Sequence, residues 1–130
     1  MADLPAFLER HQQLVWSWGS VDCSLVLADW AIENGHSDPA SSLRGTYSTA
    51  QEWKNIITSH GGLLPLVSDL CDRAGIVPTA ELTVGTIAVI GSPLNIERQW
   101  GAIYDGSGWL IRGESSFSPL TAHALGKWRV

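Results

Sequence analysis

Apolar residues recur at helical spacing as far as Ala74, and beyond Gly75 the pattern changes to that of strands. Leu4, Phe7, Leu8, His11 and Leu14 predict a short amphipathic helix from Asp3 to about Leu14. After the turn Trp18-Gly19-Ser20, a second helix is predicted from Cys23 to about Asn34. One stripe of it holds Cys23, Val26, Leu27, Trp30 and Ala31, and a second holds Leu25, Ala28 and Ile32. A helix apolar on nearly all sides belongs in the middle of a fold, and Asn34-Gly35 is a usual way to end one. Ser48 or Thr49 caps a third helix that runs to about Ser59, with Gly61-Gly62 as its stop. A fourth, from Leu63 to Ala74, carries Leu64, Val67, Leu70 and Cys71 on one face.

Gly85 to Ile90 reads as a strand broken by Gly91-Ser92-Pro93, and Gln99 to Tyr104 as a second. Asp105-Gly106-Ser107-Gly108 is a strong hairpin turn, so Trp109 to Arg112 is the returning strand. The tail from Ala122 to Val130 supplies a final strand. Helices first and strands afterwards predict an α+β fold, N-terminal helices packed on a C-terminal antiparallel sheet, in a single domain spanning residues 1–130.

Composition narrows the function classes. The 130 residues include 13 acidic and 8 basic ones, for a net charge of −5, and no basic cluster. Nucleic-acid binding through phosphate neutralisation is therefore not expected. No apolar run is long enough to span a bilayer, and Met1 to Pro5 lacks a basic segment followed by an apolar one, so no signal peptide is expected. Two cysteines, Cys23 and Cys71, give neither a disulfide framework nor metal-ligand spacing, so no cofactor and no metal is expected. Seven tryptophans in so short a chain are unusual; some must fill the core, and several exposed ones would mark a contact surface.

The candidate chemistry centres on Cys23. A thiol at a helix N-terminus meets unpaired backbone N–H groups and the positive end of the macrodipole, both of which favour the thiolate. Asp22 is suited to cap the helix, accepting from the backbone rather than from the thiol. Position alone favours the plainer reading, in which Cys23 is a small residue buried on the helix stripe. A nucleophilic thiolate needs a base, normally a histidine within hydrogen-bond reach. Of the four histidines, His11 lies in the first helix, His36 follows the second, His60 ends the third and His123 lies in the tail. For each, a surface or helix-end role is the ordinary account.

Trp18-Gly19 followed by Asp22-Cys23-Ser24 at the start of an apolar helix resembles the active-site entry of NlpC-type cell-wall peptidases, small papain-like enzymes. Gly85 to Ile90 resembles that family's next strand, and Trp100-Gly101-Ala102-Ile103-Tyr104-Asp105-Gly106 its histidine strand. The chain is also similar, from end to end, to small proteins of phage and prophage tail gene clusters. That likeness rests on Trp18-Gly19 through Asp22-Cys23, Ala28-Asp29-Trp30, Asp38-Pro39, Arg44-Gly45-Thr46-Tyr47, Gly61-Gly62 and Trp128-Arg129-Val130.

The resemblance implies a papain-like fold with Cys23 as the nucleophile position, and it departs from the peptidases where the chemistry lies. Trp100 matches the catalytic histidine, and an indole only donates. Gln99, next to it, points to the other face of the strand. The histidine-orienting position falls near Arg112, and the family aspartate is Thr86. The expectation is thus a virion structural protein of the distal tail or tail tip, of a phage, prophage or gene-transfer agent, built on a degenerate cysteine-peptidase scaffold. It would be made in the bacterial cytoplasm, would pack against other tail proteins, and Cys23 would be vestigial. The alternative is an active hydrolase that binds peptidoglycan, with Cys23 as nucleophile and His36 or His123 as a relocated base. An assembly factor that leaves the particle is a third reading.

Overall fold

The structure is a computed structural model that describes residues 2–130. Four helices, α1 (Leu4–Gln12), α2 (Leu25–Glu33), α3 (Ala50–Ser59) and α4 (Leu63–Arg73), precede six strands. The strands are β1 (Val77–Pro78), β2 (Ile87–Gly91), β3 (Gln99–Tyr104), β4 (Trp109–Arg112), β5 (Phe117–Pro119) and β6 (Ala124–Arg129). They form one antiparallel sheet in the order β1-β6-β2-β3-β4-β5. The α+β arrangement, helices first and sheet second, is as the pattern predicts.

Local chemistry explains where the helices begin. Asp3 caps α1 by accepting from Ala6 N at 3.1 Å, with Pro5 in the first turn where its missing N–H costs nothing. Thr49 caps α3 by accepting from Glu52 N at 3.1 Å, and Glu52 reaches back to Ser48 N at 3.0 Å. This is a capping box displaced by one residue. Helix α2 differs from the prediction: it begins at Leu25, so Cys23 lies before the helix rather than in its first turn. The residues from Val21 to Ser24 form a turn held by the Asp22 side chain, described below.

The core lies between the helices and one face of the sheet. Helix α2 runs through it, with Leu25, Val26, Leu27, Ala28, Trp30 and Ala31 all buried, while Ile32 of its second stripe remains exposed. Trp30 is fully buried and its indole N–H donates to Gly85 O at 2.9 Å, tying the helix to the approach to β2. From the sheet, Ile87, Val89, Ile103 and Trp128 complete this core. Gly101 of β3 is needed for the closeness of the layers, because a Cβ there would lie 2.9 Å from Leu27 Cδ1 and 3.2 Å from Cys23 O.

The opposite face of the sheet carries a smaller cluster. Ala88, Ile90 and Ala102 are buried there beneath half-buried Trp100, Trp109, Ile111 and Leu120. Both edge strands are short and contain proline, Pro78 in β1 and Pro119 in β5, which blunts the edges against pairing with another strand. No helix among the described residues is long and apolar enough to cross a membrane.

Replacing Trp30 with Phe keeps most of the apolar volume but orphans the Gly85 carbonyl. Urea unfolding of Trp30→Phe should show a loss of about 1–3 kcal/mol, and an unchanged midpoint would remove this bond from the account.

Candidate functional site

The turn that presents Cys23 is organised by one buried carboxylate. Asp22 is 0% exposed and accepts four hydrogen bonds. Oδ1 takes Ser24 N at 3.0 Å and Leu25 N at 2.9 Å, satisfying two free donors at the start of α2. Oδ2 takes Gly19 N at 3.0 Å and the Tyr47 hydroxyl at 2.5 Å. As the sequence suggested, Asp22 serves the backbone and not the thiol. Gly19 O accepts from Gly45 N at 2.9 Å, which fastens the Trp18-Gly19 turn to the Arg44–Tyr47 loop. Position 19 demands glycine twice over: its φ is +85°, and a Cβ would fall 2.1 Å from Tyr47 O. Burial and the Asp22 contact push the Tyr47 hydroxyl far above the ordinary phenol range, so it remains a donor.

Cys23 is half-buried, and its only hydrogen-bond contact among the described residues is Ser24 Oγ at 3.9 Å. Burial and the neighbouring Asp22 charge push its thiol up to about 11. Burial and the Asp22 charge therefore oppose the thiolate that a helix start favours. The Asp22 carboxylate takes the Ser24 and Leu25 donors and sets a negative charge beside the sulfur. Cys71 is a buried core residue, with burial raising its thiol to about 12.

No histidine is hydrogen-bonded to Cys23 among the described residues. His36 follows the C-terminus of α2 while Cys23 precedes its N-terminus, so a helix of 9 residues, about 13 Å long, separates them. His123 is exposed, and its backbone carbonyl accepts from Gly91 N at 2.9 Å. His60 is exposed at the end of α3, with Nδ1 3.0 Å from Ile56 O. Trp100 packs on the face of the sheet away from the helices. The β3 residues on the helix side are Gln99, Gly101 and Ile103, and the one against Cys23 is Gly101. Gln99 is occupied, donating to Ser92 O at 3.0 Å and accepting from Leu64 N at 3.4 Å. Thr86, at the position that the resemblance matches to an aspartate of the peptidases, is buried and accepts from Thr83 N at 3.1 Å.

The histidine with a built environment is His11, which periodicity identifies only as part of a helix face. It is 3% exposed, between Phe7 and Phe117 with ring centroids 5.5 and 5.9 Å away. Arg112 Nε donates to His11 Nδ1 at 3.1 Å. A guanidinium can only donate, so Nδ1 is the acceptor, and Nε2 carries the proton given to Asp29 Oδ2 at 2.9 Å. Arg112 also donates to His11 O at 3.1 Å, Leu14 O at 2.9 Å and Gly113 O. Arg112 thus does orient a histidine, but one on α1 with both ring nitrogens occupied and not hydrogen-bonded to Cys23.

Asp29 extends this network. Its Oδ1 accepts from Arg44 Nη2 at 2.8 Å, and Arg44 grips Asp38 through Nε at 2.7 Å and Nη2 at 3.3 Å. Burial raises the Asp38 carboxyl, but the Arg44 and Ala40 hydrogen bonds and the Arg44 charge outweigh it and hold Asp38 below its ordinary range. The chain Asp38–Arg44–Asp29–His11–Arg112 joins α1, α2, the 38–47 loop and β4. A cleft of about 540 Å³ opens beside it, lined in part by Arg10, Leu14, Ile32 and Glu33. No group of three or more histidine, cysteine or acidic side chains among the described residues is placed to hold a metal ion.

Fold and site define an α+β protein whose polar motif residues are bonded to one another around the helix that follows Cys23. The family described as Domain of unknown function (DUF6950) matches residues 1–130, and the chain belongs to it. No curated protein and no solved structure matches the chain.

Asp38 gives the network a pH signature. A carboxyl held below its unfolded value stabilises the fold above about pH 4 and loses that contribution as pH falls through the lower folded value. Arg44→Ala should cost about 1–3 kcal/mol at neutral pH, discounted for the partial exposure of Arg44. It should also flatten the decline of stability below pH 4. An acid limb as steep as wild type would show that Arg44 does not hold Asp38.

Proposed function

We propose that this protein is a structural component of the distal tail or tail tip of a phage, prophage or gene-transfer-agent particle, built on a papain-like scaffold and without hydrolase activity. The single observation that carries the reading is the state of Cys23. No histidine among the described residues is bonded to its thiol, and burial with the Asp22 charge beside it pushes that thiol above its ordinary range. The motif residues that support the likeness to tail-cluster proteins fit a framework role. Asp22 and Tyr47 fix the helix start, Asp29, Arg44 and Asp38 fix the loop, and Trp30 and Trp128 fill the core. Half-buried Trp100 and Trp109 with Ile111 and Leu120 leave an apolar sheet face of the kind that neighbouring tail proteins would cover. In this reading the protein is made in the bacterial cytoplasm and resides in the virion.

Alkylation of Cys23 by iodoacetamide tests the chemical half of the reading, with Cys71→Ala removing the second thiol. At pH 7 the rate should be about a hundredfold below that of a cysteine with an ordinary pKa near 9, and should reach its midpoint only at about pH 11. Particles carrying Cys23→Ala should contain the protein in normal amount by mass spectrometry. A labelling midpoint near neutral pH, or peptidoglycan-peptide cleavage abolished by Cys23→Ala, would sink the proposal.

A further inference from the structure

Asn34-Gly35, the pair that ends α2, has a chemistry that neither the network nor Cys23 uses. In a flexible chain an asparagine followed by glycine deamidates readily, because no side chain impedes attack by the next backbone nitrogen. Here each reacting group is held. Asn34 Nδ2 donates to Trp30 O at 2.9 Å, Asn34 Oδ1 accepts from Ala2 N at 3.0 Å, and Gly35 N donates to Ile32 O at 3.0 Å. Asn34 itself sits at φ −90° and ψ 10°, continuing the helix, and is half-buried. Gly35 is exposed with φ +93°, and nothing lies within 4 Å of where its Cβ would be, so water reaches the site.

We propose that Asn34-Gly35 is a deamidation site held shut by the fold, whose conversion reports opening of the α2 C-terminus and of the N-terminal segment tied to it. In the reaction, the Gly35 amide nitrogen gives its proton to solvent base and attacks Asn34 Cγ. The new N–Cγ bond forms as the Cγ–Nδ2 bond breaks, and Nδ2 leaves as ammonia after taking a proton from solvent. Water then opens the resulting cyclic imide at either carbonyl, giving aspartate or isoaspartate. No oxidant or reductant takes part. All three hydrogen bonds must break first, so the native rate follows the population of the locally open state.

The product would loosen the same place. An aspartate at position 34 keeps an acceptor for Ala2 N but turns a carboxylate toward Trp30 O and the carbonyl end of α2, where negative charge is disfavoured. Conversion would thus lower the barrier to fraying rather than heal it.

The full-length protein can be incubated at mildly alkaline pH in buffer and in concentrated urea, and the sum of aspartate and isoaspartate formed from Asn34 quantified by peptide mass spectrometry. Conversion in buffer should be about tenfold slower than in urea, or slower still. Ala2→Pro, which removes the Ala2 N–H, should speed conversion in buffer and leave the urea rate unchanged. Equal rates in buffer and urea would overturn the proposal. A native rate unmoved by Ala2→Pro would overturn the tether.

Discussion

The buried carboxylate of Asp22 is the constraint on which the rest depends. Three backbone N–H groups and one phenol hydroxyl converge on it, and no ion pair reaches it among the described residues. Removing any donor would leave a charge in the interior with less than its full set of partners, which is expensive. Two consequences pull in different directions. The carboxylate starts α2 and so positions the central helix of the core. The same charge, with burial, opposes ionisation of the adjacent Cys23. The residue that builds the cysteine-bearing turn also quiets the cysteine.

The second network does for the periphery what Asp22 does for the centre. Arg112 is 1% exposed and reaches from β4 into the end of α1, capping the carbonyls of His11 and Leu14. His11 passes the connection to Asp29 in α2, and Arg44 passes it on to the 38–47 loop. Buried polar chains of this kind are worth having only when each member is satisfied, and here every ring nitrogen and carboxylate oxygen in the chain has a partner. Tyr47 and Arg44 lie in one loop, so the Asp22 cluster and the Asp29 network share a strap and rigidify together.

Much of the fold is legible in the sequence because the signals are long and consistent. Helix α2 announces itself through apolar residues on almost every side, and the β3–β4 hairpin through Asp105-Gly106-Ser107-Gly108, whose Asp105 side chain accepts from Ser107 and Gly108 N. Strands β1 and β5 are not legible: two or three residues ending in proline carry no alternation to read. Helix α2 starts two residues later than its pattern predicts because Asp22 caps from inside a turn rather than from the residue next to the helix. The site is harder. Asp22 as a backbone acceptor follows from residue type and position, but its Tyr47 partner lies 25 residues away. His11 reads as a helix-face residue since its partners, Asp29 and Arg112, come from separations of 18 and 101 residues that no local pattern reveals. A strand motif aligns Trp100 with the histidine of the peptidases that the sequence resembles, and only the packing of β3 shows that Gly101 lies against Cys23 O.

Comparing the unfolding free energies of Asp22→Asn and Cys23→Ala in urea tests most directly whether this motif is framework rather than chemistry. The amide in Asp22→Asn cannot accept all four hydrogen bonds, so the substitution should cost about 3 kcal/mol or more. The half-buried Cys23→Ala should change stability by no more than about 1 kcal/mol. A nearly neutral Asp22→Asn beside a strongly destabilising Cys23→Ala would contradict the account.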